Sequence, residues 1–159
     1  MTEKNNEYFM QKAIELSEQG MENDEGGPFG AVMVRDGEII AEGNNQVTSE
    51  NDPTMHAEIV VIRNACTKLN TFDLSGCTLY TSCEPCPMCL GAIYWAHLDR
   101  VYYANTKEDA AQIGFDDEFI YAELDLDKDN RKLPIQQLLR EQAIEVFGKW
   151  EEKEDKIKY

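Results

Sequence analysis

Residues 78–104, TLYTSCEPCPMCLGAIYWAHLDRVYYA, decide the fold. Thr78 to Ser82 reads as a buried strand, Cys86 to Ala96 as a helix and Val101 to Ala104 as a second strand. A strand–helix–strand unit needs a sheet for its helix to lie on. Upstream, Ala31 to Val34 and Ile39 to Gly43 flank Asp36-Gly37, whose readiness for positive φ predicts a tight antiparallel hairpin. Before the hairpin, Phe9, Ala13 and Leu16 recur at helical spacing from Glu7 to Gln19, and Gly20 suits the position just past a helix end. Between hairpin and strand three, Pro53 precedes a helix expected from Thr54 or Met55 to about Leu69, with Ile59, Ile62 and Ala65 on one face. Thr106-Lys107-Glu108-Asp109 reads as a capped helix start, with Asp where Glu or Gln is the better box partner. This order predicts a three-layer α/β/α sandwich.

The chain has 159 residues, with 15 Lys plus Arg against 31 Asp plus Glu, a formal charge of −16. That field repels phosphate, so nucleic acid is a poor partner. There is no run of about 18 apolar residues, and MTEKNNEYF lacks the basic-then-apolar order of a signal peptide, so no membrane is expected and the expected compartment is the cytoplasm. No repeat or Gly/Ser linker divides residues 1–150, which read as one domain. Residues 151–159 carry seven charged side chains and have the composition of a disordered tail.

Five cysteines do not suit a disulfide framework, and three of them crowd into Cys83, Cys86 and Cys89. Cys86 and Cys89 lie three apart on one helix face at its positive end, which favours the thiolate that binds zinc. With His56, in the first turn of the preceding helix, they make three ligands, leaving a fourth position to water as in a catalytic zinc site. His97, two turns beyond Cys89, should point away. An iron–sulfur run would require a cysteine at the position of Ile93, so Cys83 is expected to be a small buried residue, as are Cys66 and Cys77.

Glu58 stands two residues from His56 at the same helix start, so both can border one cavity. A carboxylate beside a zinc-bound water or hydroxide can take its proton and deliver it to a ring nitrogen and a departing amine. That is hydrolytic deamination of an amino-substituted heterocycle. The backbone amides of Ala57 and Cys86 are candidate substrate contacts.

His56-x-Glu58 with Pro85-Cys86-x-x-Cys89 resembles the zinc cytidine/deoxycytidylate deaminase superfamily, whose signature has this form. Within it, the chain is similar to the short bacterial guanine deaminases. The matching segments are Gly26-Gly27-Pro28-Phe29-Gly30-Ala31, Asn51-Asp52-Pro53-Thr54-x-His56-Ala57-Glu58, Thr81 through Ala96, Gly114-Phe115-Asp116-Asp117 and the terminal Tyr159. The resemblance implies a mixed five-stranded sheet between helices, one Zn²⁺ per subunit at His56, Cys86 and Cys89, and conversion of guanine and water to xanthine and ammonia. It further implies that Phe29 stacks on the purine, Asn45 bonds the ring, and Trp95 helps wall the pocket. Asp117 joins Glu58 among the catalytic residues, approaching with Tyr159 the edge that carries the 2-amino group. A homodimer that exchanges its C-terminal segment is also implied, so that the tail closes a neighbour's site.

Guanine's 2-amino and ring N–H groups call for acceptors, which Asp117, Tyr159 and the amide oxygen of Asn45 offer. The alternatives are a deaminase of tRNA adenosine, which the acidic charge opposes, a deaminase of cytosine or another heterocycle, and a noncatalytic zinc-stabilised binding module. Against the last stands Glu58, for which a structural site has no use.

Overall fold

A computed structural model describes residues 3–159, with side chains described from residue 5 onward. The elements are α1 (Glu3–Glu22), β1 (Gly30–Arg35), β2 (Glu38–Asn44), α2 (Ala57–Leu69), β3 (Cys77–Cys83), α3 (Pro87–Trp95), β4 (Arg100–Asn105), α4 (Lys107–Gln112), α5 (Glu118–Asp125) and α6 (Arg140–Glu152), with a short 3-10 turn at Lys128–Asn130. The strands form one mixed sheet in the order β2-β1-β3-β4. β1 pairs antiparallel with both β2 and β3, and β3 runs parallel to β4.

The alternation of β1 explains the three layers. Ala31 and Met33 join Ala57, Val61 and Ala65 of α2 and Ile93 of α3 on one face of the sheet. Val32 and Val34 pack with Phe9 of α1 and with Tyr80 on the other. Both faces are covered, so β1 is buried from Gly30 to Val34 and β3 along its whole length rather than at alternate residues. The expected hairpin forms with both turn residues at positive φ, Asp36 at 53° and Gly37 at 80°.

Three expectations are corrected. α1 does not stop at Gly20 but runs to Glu22; a Cβ on Gly20 would stand 2.3 Å from Asn44 Nδ2, so the glycine permits close approach to the end of β2. α2 begins at Ala57 and not at Thr54 or Met55, because an Asx turn in which Asp52 Oδ1 accepts from Thr54 N (2.8 Å) holds the chain out of the helix. The sheet of the described residues has four strands, not five, because the chain leaves β4 for α4 and α5 instead of returning beside it.

The chain divides into two compact units, residues 1–118 and 119–159. In the second, Arg131 Nε donates to the Glu123 carbonyl (2.9 Å) and Lys132 N to Glu123 Oε2 (2.8 Å). The end of α6 at Glu152 places the start of the charged tail inside its last turn. No helix among the described residues is long and apolar enough to cross a membrane.

Candidate active site

Two helix starts build the centre. His56 is the N-cap of α2 with extended backbone (φ −69°, ψ 155°), and Cys86 is the N-cap of α3 in nearly the same conformation (φ −66°, ψ 169°). His56 therefore precedes the first helical turn instead of lying within it, which frees its side chain from the helix and lets it face the cysteines. Pro87, in the first turn of α3, gives up no intrahelical hydrogen bond and fixes the φ with which the chain enters the helix.

His56 Nδ1 is 3.5 Å from Cys86 Sγ and 3.5 Å from Cys89 Sγ. Tetrahedral zinc with bonds of about 2.0–2.3 Å requires ligands about 3.3–3.8 Å apart. The donor set and its spacing thus fit Zn²⁺, and His56, Cys86 and Cys89 form the candidate metal-holding group among the described residues. Cys83 is outside it, a buried thiol 3.8 Å from the Thr106 carbonyl and pushed up to about 11, chiefly by burial. His97 is also elsewhere, its Nδ1 3.7 Å from Asp73 Oδ1.

The thiols share a proton unequally. The Cys86 thiol is lowered to about 4, first because Cys89 donates to it and then because of His56, against the cost of burial. Cys89, the donor, is held far above the usual thiol range. His56 is raised, first by its hydrogen bond to Cys86.

Glu58, in the first turn of α2, is 6 % exposed, and burial raises its carboxyl above the usual range. Its Oε1 is 3.4 Å from Thr81 Oγ1 and its Oε2 is 3.5 Å from Cys89 Sγ. Thr81 had no assigned role in the sequence, although a hydroxyl in the middle of an all-buried strand is a signal that a polar partner lies opposite. Asp117 is electrostatically coupled to His56 and Cys86, and burial raises its carboxyl as well.

Phe29 and Asn45 meet where β1 begins and β2 ends. Asn45 N donates to the Phe29 carbonyl (2.9 Å), tying the two expected ring contacts together. Asn45 Oδ1 accepts from Gly27 N and Val47 N, both at 3.2 Å. Its oxygen is thus occupied, and the group left for a ligand is the amide N–H₂, a donor rather than the acceptor expected from sequence. A Cβ on Gly26 would meet Asn45 Oδ1 at 2.2 Å, so glycine is required for this approach. Ala57 is fully buried at the first position of α2. Trp95 ends α3 and is 66 % exposed, and Tyr159, 72 % exposed, ends the second unit.

The family model for the cytidine and deoxycytidylate deaminase zinc-binding region matches residues 3–105. The guanine deaminase of Bacillus subtilis is 50% identical over 155 residues, 98% of this chain and 99% of the relative. The X-ray structure of guanine deaminase from Bacillus subtilis superposes with a TM-score of 0.95 at 49% identity, covering 100% of this chain and 99% of that one. A tRNA-specific adenosine deaminase of Aquifex aeolicus is 41% identical over 98 residues, 62% of this chain and 64% of the relative. The chain belongs to the cytidine and deoxycytidylate deaminase zinc-binding family.

Proposed function

We propose that the chain hydrolyses guanine to xanthine and ammonia. Likeness to a guanine deaminase across both whole chains is the observation that carries the substrate. Likeness to the tRNA adenosine deaminase covers only 62% of the chain, and a charge of −16 opposes a nucleic-acid substrate.

His56, Cys86 and Cys89 hold one Zn²⁺ per subunit, which, when bound, supplies the Lewis acidity that lowers the pKa of water to about 7. Glu58 manages the protons. Water oxygen bonds to the purine C2 and the C2–amine bond breaks; Glu58 carries one proton from water to the adjacent ring nitrogen and another to the departing ammonia. Burial raises its carboxyl above the usual range, which favours its holding a proton. Asp117 accepts from the 2-amino edge and Phe29 stacks on the ring. Asn45 donates to a ring acceptor through its amide N–H₂, and the Ala57 N–H binds the same ring's periphery. Trp95 contributes a further wall.

A second copy of the chain completes the assembly by exchange of its C-terminal segment, bringing Tyr159 to the neighbour's purine. In support, no residue of α6 is buried, and its Ile144, Val146, Phe147 and Trp150 are all exposed. Such an apolar surface marks an interaction site. A cytoplasmic setting, in which thiols stay reduced, suits Cys86 and Cys89 as ligands.

Incubation of zinc-loaded protein with guanine, cytosine and an adenosine-containing anticodon stem, followed by ammonia release, tests the substrate. Ammonia from guanine alone is expected; faster release from either competitor would replace guanine as the substrate.

A further inference from the structure

The Phe115 ring meets Phe29 edge-on, with centroids 4.9 Å apart and planes at 88°. This is the favoured geometry of an aromatic pair, in which a positive ring edge faces a negative ring face. The pair closes tightly on the backbone, since a Cβ on Gly27 would stand 3.0 Å from Phe29 and 3.1 Å from Phe115.

What holds Phe115 there is α4. Its capping box, formed by Thr106 and Asp109, starts the helix, and Glu84, two residues before Cys86, accepts from Lys107 N (3.0 Å). At the other end, Gly114 turns with φ at 96°, and Phe115 N donates to the Ala110 carbonyl (3.0 Å). Thus α4 is fastened at its start to the loop that carries Cys86 and at its end to the ring of Phe29. Two residues beyond Phe115 lies Asp117, whose carboxyl feels Cys86 and His56.

We propose that Phe115 is a positioning residue: its ring braces Phe29 and anchors the 114–117 segment, so that the aromatic wall and the Asp117 carboxyl are set together. The assignment rests on the guanine deaminase reading above, in which Phe29 stacks on the purine and Asp117 meets its amino edge. Phe115 is 47% exposed, so its ring contributes less to the core than to this contact. Phe29 acts before the chemistry, on binding, whereas Asp117 acts in it, so loss of Phe115 should register in both KM and kcat.

The test is a pair of double-variant cycles on the zinc-loaded protein with guanine. Phe115→Ala is expected to lower kcat/KM on the order of tenfold, the scale of an aromatic pair. Phe115→Leu, which keeps apolar bulk but not the ring edge, should lose nearly as much while leaving zinc content and melting temperature close to wild type. Phe115→Tyr, which keeps the edge, should restore the rate. In the first cycle, Phe29→Leu with Phe115→Ala should raise KM no further than Phe29→Leu alone; in the second, Asp117→Asn with Phe115→Ala should lower kcat no further than Asp117→Asn alone. Wild-type kinetics in Phe115→Leu, or effects that multiply in both cycles, would overturn the proposal. Phe29→Leu with an unchanged KM would instead remove the stacking role of Phe29, and the Asp117 cycle then decides for Phe115 alone.

Discussion

Glu58 Oε2 lies 3.5 Å from Cys89 Sγ, so the buried carboxyl and one candidate metal ligand share a single desolvated space. A carboxylate placed there is costly to folding.

Replacing Glu58 with Gln should lower kcat on the order of 10²–10⁴-fold with zinc still bound, the usual loss on removing a general acid–base group. The same variant should stabilise the zinc-free protein near neutral pH. Burial holds the folded carboxyl above its ordinary 4.5, so as pH rises past that value the unfolded chain releases its proton first and stability falls. Thermal scans in chelator at pH 4 and pH 8 measure this: the variant's advantage should be present at pH 8 and nearly absent at pH 4. An equal advantage at both would contradict it.

Zinc uptake should release protons in a pH-dependent number. Cys86, lowered to about 4, is already thiolate at neutral pH, whereas Cys89 must lose its proton to become a ligand. About one proton per zinc is expected at pH 8, approaching two as pH falls through the raised His56 titration, with affinity weakening in the same direction. Calorimetry in buffers of different ionisation enthalpy counts them; a pH-independent count of two would contradict the unequal pair.

Asn45→Asp keeps the oxygen that accepts from Gly27 and Val47 but removes the amide donor. KM for guanine should rise on the order of tenfold, the cost of one lost or reversed hydrogen bond, with little change in melting temperature. An unchanged KM would show that the donor does not meet the purine.

Exchange of the C-terminal segment predicts complementation. A chain truncated after Trp150 and a full-length Glu58→Gln chain should each be nearly inactive. Refolded together they should regain about a quarter of wild-type turnover, since half the dimers are mixed and each mixed dimer has one complete site of two. No recovery would favour a tail that serves its own chain or none.

The sequence was most informative where chemistry is local. Asp36-Gly37 specified its hairpin, and the spacing of Cys86 and Cys89 together with His56 pointed to the group whose ligand atoms lie close enough to hold a metal. It was less informative where a residue's meaning depends on a distant neighbour. Gly20 reads as a helix stop, yet it sits within α1, where a Cβ would collide with Asn44. The contact of Phe115 with Phe29 and the bond of Thr81 to Glu58 join residues that no periodicity links. The orientation of the Asn45 amide depends on two backbone N–H groups whose approach only the folded loop reveals. Four strands were legible from alternation and turn residues; the fifth rested on resemblance alone, and the sheet of the described residues has four.

The most direct measurement is a zinc titration of chelator-stripped protein, following xanthine and ammonia formed from guanine. The account predicts no turnover without metal, a linear rise to a plateau at one equivalent of zinc per chain, and equal amounts of the two products. Turnover in the stripped protein, or a fully loaded protein that leaves guanine unchanged, would contradict it.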